Sequence, residues 1–223
     1  MNKIAIVASV KATRVTGYDN QATQGADAIA NALAGELSYA FNNIQVIQNY
    51  TTKARIVDTL TTAAKVLDPG GLCVFYFHGH GDSLPNVLRP DQETRDQALV
   101  CYDGFLFDYE IDLLLQNFLP SHRLLTIVDS CSSETVIEWN YPDVARYPQI
   151  IHIGASRDGD QAGADTLGGI MSRNILNSVY GYGYANYTYL SFCQRIKQLT
   201  GNQPAFRTSP GVQRSFLNAK LFT

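Results

Sequence analysis

The stretch LCVFYFHGHG, residues 72–81, begins as an unbroken apolar run and ends in two histidines, each followed by glycine. A short continuous apolar run fits a strand covered on both faces, as in a parallel sheet. LLTIVDSCS, residues 124–132, repeats the design with an acid, a hydroxyl and a thiol at its end. In an open parallel sheet, ligands and chemistry gather where the loops leave the carboxyl ends of the strands. If these two strands are neighbours or next-but-one, an imidazole and a thiol meet at one crest, one or two strand spacings of about 4.8 Å apart.

Outward from this pair, KIAIVAS at 3–9 and IIHIGAS at 150–156 read as further buried strands, and IQVIQN at 44–49 as a short one. Between them, ADAIANALAGELSYAF at 26–41 places Ile29, Leu33, Leu37 and Phe41 on one helical face. Thr51 or Thr52 is positioned to cap a second helix whose face is Ile56, Leu60, Ala64 and Leu67, and Pro69-Gly70 stops it. DYEIDLLLQNFL at 108–119 opens with acids, as the helix dipole favours. TLGGIMSRNILNSVY at 166–180 and YLSFCQRIKQL at 189–199 are two later helices, YGYGYANYTY at 180–189 reads as a surface loop, and SFLNAKLF at 215–222 as an edge strand. Strands alternating with helices predict an α/β fold with a parallel sheet.

The chain has 223 residues, 45% of them hydrophobic and 17% charged, so it can bury a full core and carries no disorder signature. Its 17 basic and 20 acidic residues give a net charge of -3, with no run of five like charges. That disfavours a nucleic-acid partner. No apolar run approaches the roughly 20 residues needed to span a bilayer, so no membrane partner is expected. The MNKIAIVASV start reads as a strand, not a signal peptide, and cytoplasmic localisation is the expectation. Cys73, Cys101, Cys131 and Cys193 form no CxxC pair, which argues for reduced thiols. Cys73, Cys101 and Cys193 read as packing residues. Cys131 alone stands in a chemical setting.

A thiol near pKa 8.5 is only a few per cent thiolate at pH 7, so a cysteine nucleophile needs a base beside it. His80 is placed to take the proton and return it to a leaving amine. Gly81 and the Cys131 backbone suit an oxyanion hole, because glycine leaves its amide uncovered and admits substrate closely. His122, near Pro120, reads as solvent-facing, and His152 as a satisfied core or crest residue. His78 and His80 lack a clear third ligand nearby, so no metal site is expected. VASVKATRVTGYDN after the first strand has no phosphate loop, which excludes a nucleotide-binding flavodoxin-like reading.

FYFHGHG and LLTIVDSCSSE together resemble the two active-site motifs of caspase-like cysteine peptidases, in the metacaspase and orthocaspase branch. The separation of His80 and Cys131, 51 residues, matches the general caspase spacing of about 50. NYTTKARIVDTL, DGFLFDYEI, IIHIGASRDGDQAGAD with its following GG helix, and the closing QPAF and LF fall in the family's usual order. The resemblance implies one caspase-like domain over 1–223: a three-layer α/β/α sandwich around a mostly parallel six-stranded sheet. It implies a cysteine endopeptidase with His80 as general base and Cys131 as nucleophile, acting on peptides or proteins without a required cofactor. Asp129, on the same strand face as Cys131, corresponds to the family's S1 acid, which predicts cleavage after Arg or Lys at P1. Asp27 is a second candidate S1 acid, with a first-turn helix acid as its structural alternative.

His78 stands where the family has Ser, which predicts a narrower S1 entrance or a competing imidazole. Ser132 replaces a frequent His, and Glu134 falls near a common Gly. Asp91, Asp96 and Asp103 do not assemble the 6–8 oxygen ligands calcium takes, so calcium activation is left open. Trp139 and Tyr141 are candidates to pack the loop after Cys131 against the body. The short connection from Cys131 to the next strand predicts an active uncut chain, with cleavage after Arg146 as an accessory event and any regulatory partner unspecified. The alternatives are a catalytically silent member acting as a binding or regulatory module, and a same-clan peptidase with another P1 specificity.

Overall fold

The computed structural model describes residues 1–20, 23–86, 94–139, 146–165, 168–201 and 204–223. Asp91 and Tyr141 lie outside these.

Four of the apolar runs form the middle of one sheet. β1 (Lys3–Ser9), β3 (Leu72–His78), β7 (Arg123–Asp129) and β8 (Gln149–Gly154) are mutually parallel, with β2 (Asn43–Ile47) parallel at one edge and β11 (Ala205–Thr208) antiparallel at the other. The order β11-β8-β7-β3-β1-β2 makes a six-stranded, mostly parallel sheet, as expected. Strand alternation sends Val74, Tyr76, Leu125 and Ile127 to one face, under α1 (Ala26–Leu37), α4 (Ile170–Val179) and α5 (Tyr189–Leu199). Cys73, Phe75, Phe77, Leu124 and Val128 go to the other, under α2 (Lys53–Val66) and α3 (Asp108–Leu115). The result is the α/β/α sandwich.

The Thr51/Thr52 alternative is resolved locally. Thr52 caps α2 by accepting the Arg55 amide, while buried Thr51 donates to the Ser9 carbonyl and ties the helix start to β1. Cys73, Cys101 and Cys193 are buried packing residues, and burial pushes the first two thiols up to about 12.

Three readings change. SFLNAKLF is not an edge strand: α6 (Arg214–Asn218) occupies it, and Ala205–Thr208 fills the edge instead. The Tyr-rich loop coils into a 3-10 helix over Tyr180–Asn186. His122 is fully buried, with its Nδ1 accepting the Leu119 amide and its ring edge-on to Phe118. A feature not read from the sequence is a second sheet of three antiparallel strands, β4 (Gly81–Pro85), β5 (Arg95–Val100) and β6 (Phe105–Phe107). It begins at the glycine after His80. Arg207 stacks over Trp139, which packs against the α2/α3 side of the core.

Candidate active site

β3 and β7 are direct neighbours, one strand spacing apart, and end level: His78 pairs with Asp129, and on the far side of β3 Ser9 pairs with His78. In parallel strands, paired residues point to the same face, so Ser9, His78 and Asp129 form a row across the crest. The ladder continues past the strand ends, with Val10 donating to the His78 carbonyl at 2.8 Å and Gly79 to the Asp129 carbonyl at 3.4 Å. A rigid sheet thereby fixes the two short loops that carry His80 and Cys131.

Those loops touch. A Cβ on Gly81 would run into the Cys131 carbonyl oxygen and lie 2.6 Å from Ser130 Oγ, so only glycine permits this approach. His78, His80, Asp129 and Cys131 all line one cavity of about 250 Å³, together with Ala162 and Gly169. The sequence places all four at strand ends, and the structure brings all four together.

His80 Nε2 lies 2.8 Å from the Asp19 carbonyl oxygen. A carbonyl only accepts, so Nε2 carries the proton and, in the neutral ring, Nδ1 is left as the basic nitrogen. The Tyr18 ring packs 5.4 Å from the imidazole, and its hydroxyl donates to Asp82 just beyond Gly81. Burial and that carboxylate hold the Tyr18 phenol above its usual pKa. Partly exposed Cys131 receives a backbone N–H from Ala162, 3.3 Å from its Sγ.

Asp129 is buried at the first turn of α4, where it accepts the Ser172 amide at 2.8 Å and the Ser172 hydroxyl. That hydroxyl in turn accepts from Tyr76, 2.6 Å away. The carboxylate leaves no room for a side chain at position 169. Asp27, in the first turn of α1, accepts the Ser9 hydroxyl at 2.6 Å and so joins the end of the row.

The loop after Cys131 is held from below. Ser132 adopts a left-handed φ of 47°, unusual for a side chain of its kind, and its amide and hydroxyl bond to the Asp160 carbonyl and the Gly159 amide. Buried His152 bridges Thr126 Oγ1 and the Ser133 carbonyl at 2.9 and 2.8 Å, which bears out its reading as a satisfied core residue. Outside the cavity, Ser132, Asp158 and Arg95 border an open polar groove of about 640 Å³. It is larger than the crest cavity but holds neither His80 nor Cys131, which line the smaller one.

Asp19, Ala162 and Ser172 are contributors the sequence did not expose. Two act through backbone groups, which carry no residue signature, and Ser172 arrives from a helix 43 residues after Asp129. Of the calcium candidates, Asp96 is buried in β5 and Asp103 accepts the Lys53 amide. Among the described residues no group of three His, Cys, Asp or Glu side chains is arranged to hold a metal ion, and no helix is long and apolar enough to cross a membrane.

A mostly parallel six-stranded sheet between helical layers, with His and Cys at the ends of adjacent strands, defines the class as caspase-like. The profile of the metacaspase, peptidase C14 domain matches residues 27–140, and the chain belongs to that family. Metacaspase-1A of Aspergillus clavatus is 27% identical over 95 residues, covering 40% of this chain and 22% of the relative. Metacaspase-1 of Eremothecium gossypii is 24% identical over 125 residues, 51% of this chain and 28% of the relative. The chain thus matches about a quarter of the length of these curated relatives. Among solved structures, a structural-genomics protein from Geobacter sulfurreducens superposes with a TM-score of 0.83 at 22% identity, covering 100% of this chain and 99% of that one. Caspase-1 from Spodoptera frugiperda superposes at 0.65 with 11% identity, covering 89% and 77%. Both show the fold.

Proposed function

We propose that this chain is a cysteine endopeptidase that cleaves after Arg or Lys, with His80 and Cys131 as its dyad. The observation that carries the reading is the pair of backbone groups flanking them: the Asp19 carbonyl that sets the His80 tautomer and the Ala162 amide directed at Cys131 Sγ. A binding module has no use for a thiol and an imidazole prepared in this way.

In this mechanism His80 Nδ1 takes the Cys131 proton and the thiolate attacks the carbonyl carbon after P1. Negative charge moves to the carbonyl oxygen, where the Gly81 and Cys131 amides receive it, a contribution of about 10²–10³ in rate per donor. The imidazolium then protonates the leaving amine as the C–N bond breaks. Water, deprotonated by His80, releases the acyl group and restores the thiol.

P1 specificity follows from charge. Asp129 lines the site, Asp27 lies behind it, bonded to Ser9 and close enough to act on His78, and among the described residues neither forms an ion pair with Lys or Arg. A buried carboxylate without a cation is costly, and a guanidinium or ammonium from P1 supplies one. The exposed Arg146 is a candidate for self-cleavage in the same specificity.

The test is release of a fluorogenic group from peptides with Arg, Lys or Asp at P1, with and without calcium, by wild type and Cys131→Ala. Cleavage after Arg and Lys that Cys131→Ala abolishes is the expected result. No cleavage of any substrate overturns the enzyme reading, and a preference for Asp overturns the role of Asp129.

A further inference from the structure

His78 lies in the middle of the crest row, flanked in register by Ser9 on β1 and Asp129 on β7. It is buried, it borders the same cavity as Cys131, and its Nδ1 has no hydrogen-bond partner. β10 (Gly168–Gly169) covers it closely: a Cβ on Gly168 would stand 3.1 Å from its Cε1. The ionisable groups that act on it are Asp129 from β7, Asp27 from α1 and His80 two residues on. Buried His152 pairs both of its nitrogens, and His122, which leaves Nε2 unpaired, is not among the residues lining the crest cavity; of the three, His78 alone brings an unpaired nitrogen to the cavity that holds Cys131.

We propose that His78 is a specificity-determining residue of the S1 pocket: neutral, it leaves Asp27 and Asp129 to the P1 cation, and protonated, it takes that cation's place. The inference rests on the endopeptidase reading for its substrate, but the charge competition is a property of the pocket itself. Two carboxylates can share one internal cation or accept one external cation. They do not readily hold both, because imidazolium and guanidinium in one small cavity repel each other strongly at low dielectric.

The balance favours the neutral ring at rest. Burial lowers the His78 pKa and outweighs the opposite pull of Asp129, while His80 lowers it further and Asp27 raises it. At neutral pH the pocket therefore offers its negative charge to substrate. As pH falls, each P1 cation that binds must displace one proton from the imidazole. A P1 side chain of the same shape without charge displaces none.

The experiment compares peptides with Arg and with citrulline at P1, which differ in charge and hardly in shape, from mildly alkaline to mildly acidic pH. Ionisation of His80 and Cys131 affects both substrates alike and cancels in the ratio of their kcat/KM values. Below the His78 transition the Arg-to-citrulline ratio falls about tenfold per pH unit in wild type, the slope of one displaced proton, while His78→Ser and His78→Asn keep it within about twofold. A ratio equally pH-dependent in the variants assigns the effect to the carboxylates and overturns the proposal, as does a flat wild-type ratio.

Benzamidine binding to Cys131→Ala, measured by calorimetry, needs no catalysis. Its Kd rises with falling pH in that background and stays level when His78→Ser is added. That result without any peptide cleavage overturns the endopeptidase reading and leaves the role of His78 standing. A benzamidine Kd that does not respond to pH, or no benzamidine binding, overturns the proposal whatever the peptides show.

Discussion

The sheet carries a buried polar cluster on each face, and they differ in how completely their groups are paired. On the α2/α3 side, Thr126, His152 and Ser133 form a closed set in which both imidazole nitrogens have partners. On the α1/α4 side, Ser9, His78 and Asp129 line up at the crest with the His78 Nδ1 unpaired and two carboxylates lacking a Lys or Arg among the described residues. Unpaired buried polarity costs roughly 1–3 kcal/mol per group, and more when the group is charged. His122 Nε2 carries a cost of this kind too, but the His78 nitrogen carries it beside a cavity, where a ligand can offset it. The closed cluster braces the loop after Cys131, and the open one borders the crest cavity.

Several substitutions would break this contrast. The largest effect is Cys131→Ala, which should lower peptide cleavage by about 10⁴-fold or more while leaving the urea midpoint unchanged. Residual cleavage near the wild-type rate would place the nucleophile elsewhere. Next, Asp129→Asn should reduce kcat/KM for Arg at P1 by about 10²-fold, as expected when one partner of a buried charge pair is removed. Citrulline at P1 should lose much less. Equal losses for both substrates would make Asp129 a structural group that supports α4 through Ser172, and the contrast between the faces would disappear.

The closed cluster makes its own prediction through pH. Burial is the largest cause holding His152 down at about 4, against an ordinary value of 6.5. Between those values the unfolded chain binds a proton that the folded chain refuses. Stability therefore falls as pH drops from about 6.5 toward 4, with roughly 3 kcal/mol as the full contribution of this residue. Above pH 6.5 the ring is neutral in both states and the effect is complete. Urea unfolding measured at steps across this window checks it, and an unchanged midpoint would contradict a buried neutral ring.

Much of the molecule was legible because its central strands are covered on both faces. LCVFYF and LLTIV need no partner to be read as strands, and the side chains that follow them fall where strand ends must carry chemistry. The helices over Lys53–Val66 and Tyr189–Leu199 were equally clear from their apolar spacing. The small sheet was not legible. GDSLP and RDQALV mix polar and apolar residues, and only pairing with each other makes Asp96 and Gln97 interior. SFLNAKLF alternates like a strand, yet Phe216, Leu221 and Phe222 reach the core through a single turn of helix and an irregular end. At the site, residue types marked the candidate side chains, but the backbone groups bonded to them did not announce themselves. The Asp19 carbonyl and Ala162 amide are common to every residue, and their role comes wholly from where the fold delivers them.

The finest test of the contrast is Thr126→Val, which keeps the shape of the side chain and removes its hydroxyl. Because His152 Nε2 faces a carbonyl and must donate, Nδ1 is the acceptor, and the Thr126 hydroxyl is its donor. The substitution leaves that nitrogen buried and unpaired, the condition His78 occupies in the native chain. The expected cost is about 1 kcal/mol in stability, read as a lower urea midpoint with unchanged slope. The Arg-to-citrulline ratio should not move, since His152 lies on the opposite face of the sheet from His78 and Asp129. A shift in that ratio would mean that the loop braced through Ser133 transmits the state of the closed cluster to Cys131 and the open one. The two faces would then work as one device, and their difference in pairing would no longer separate support from function.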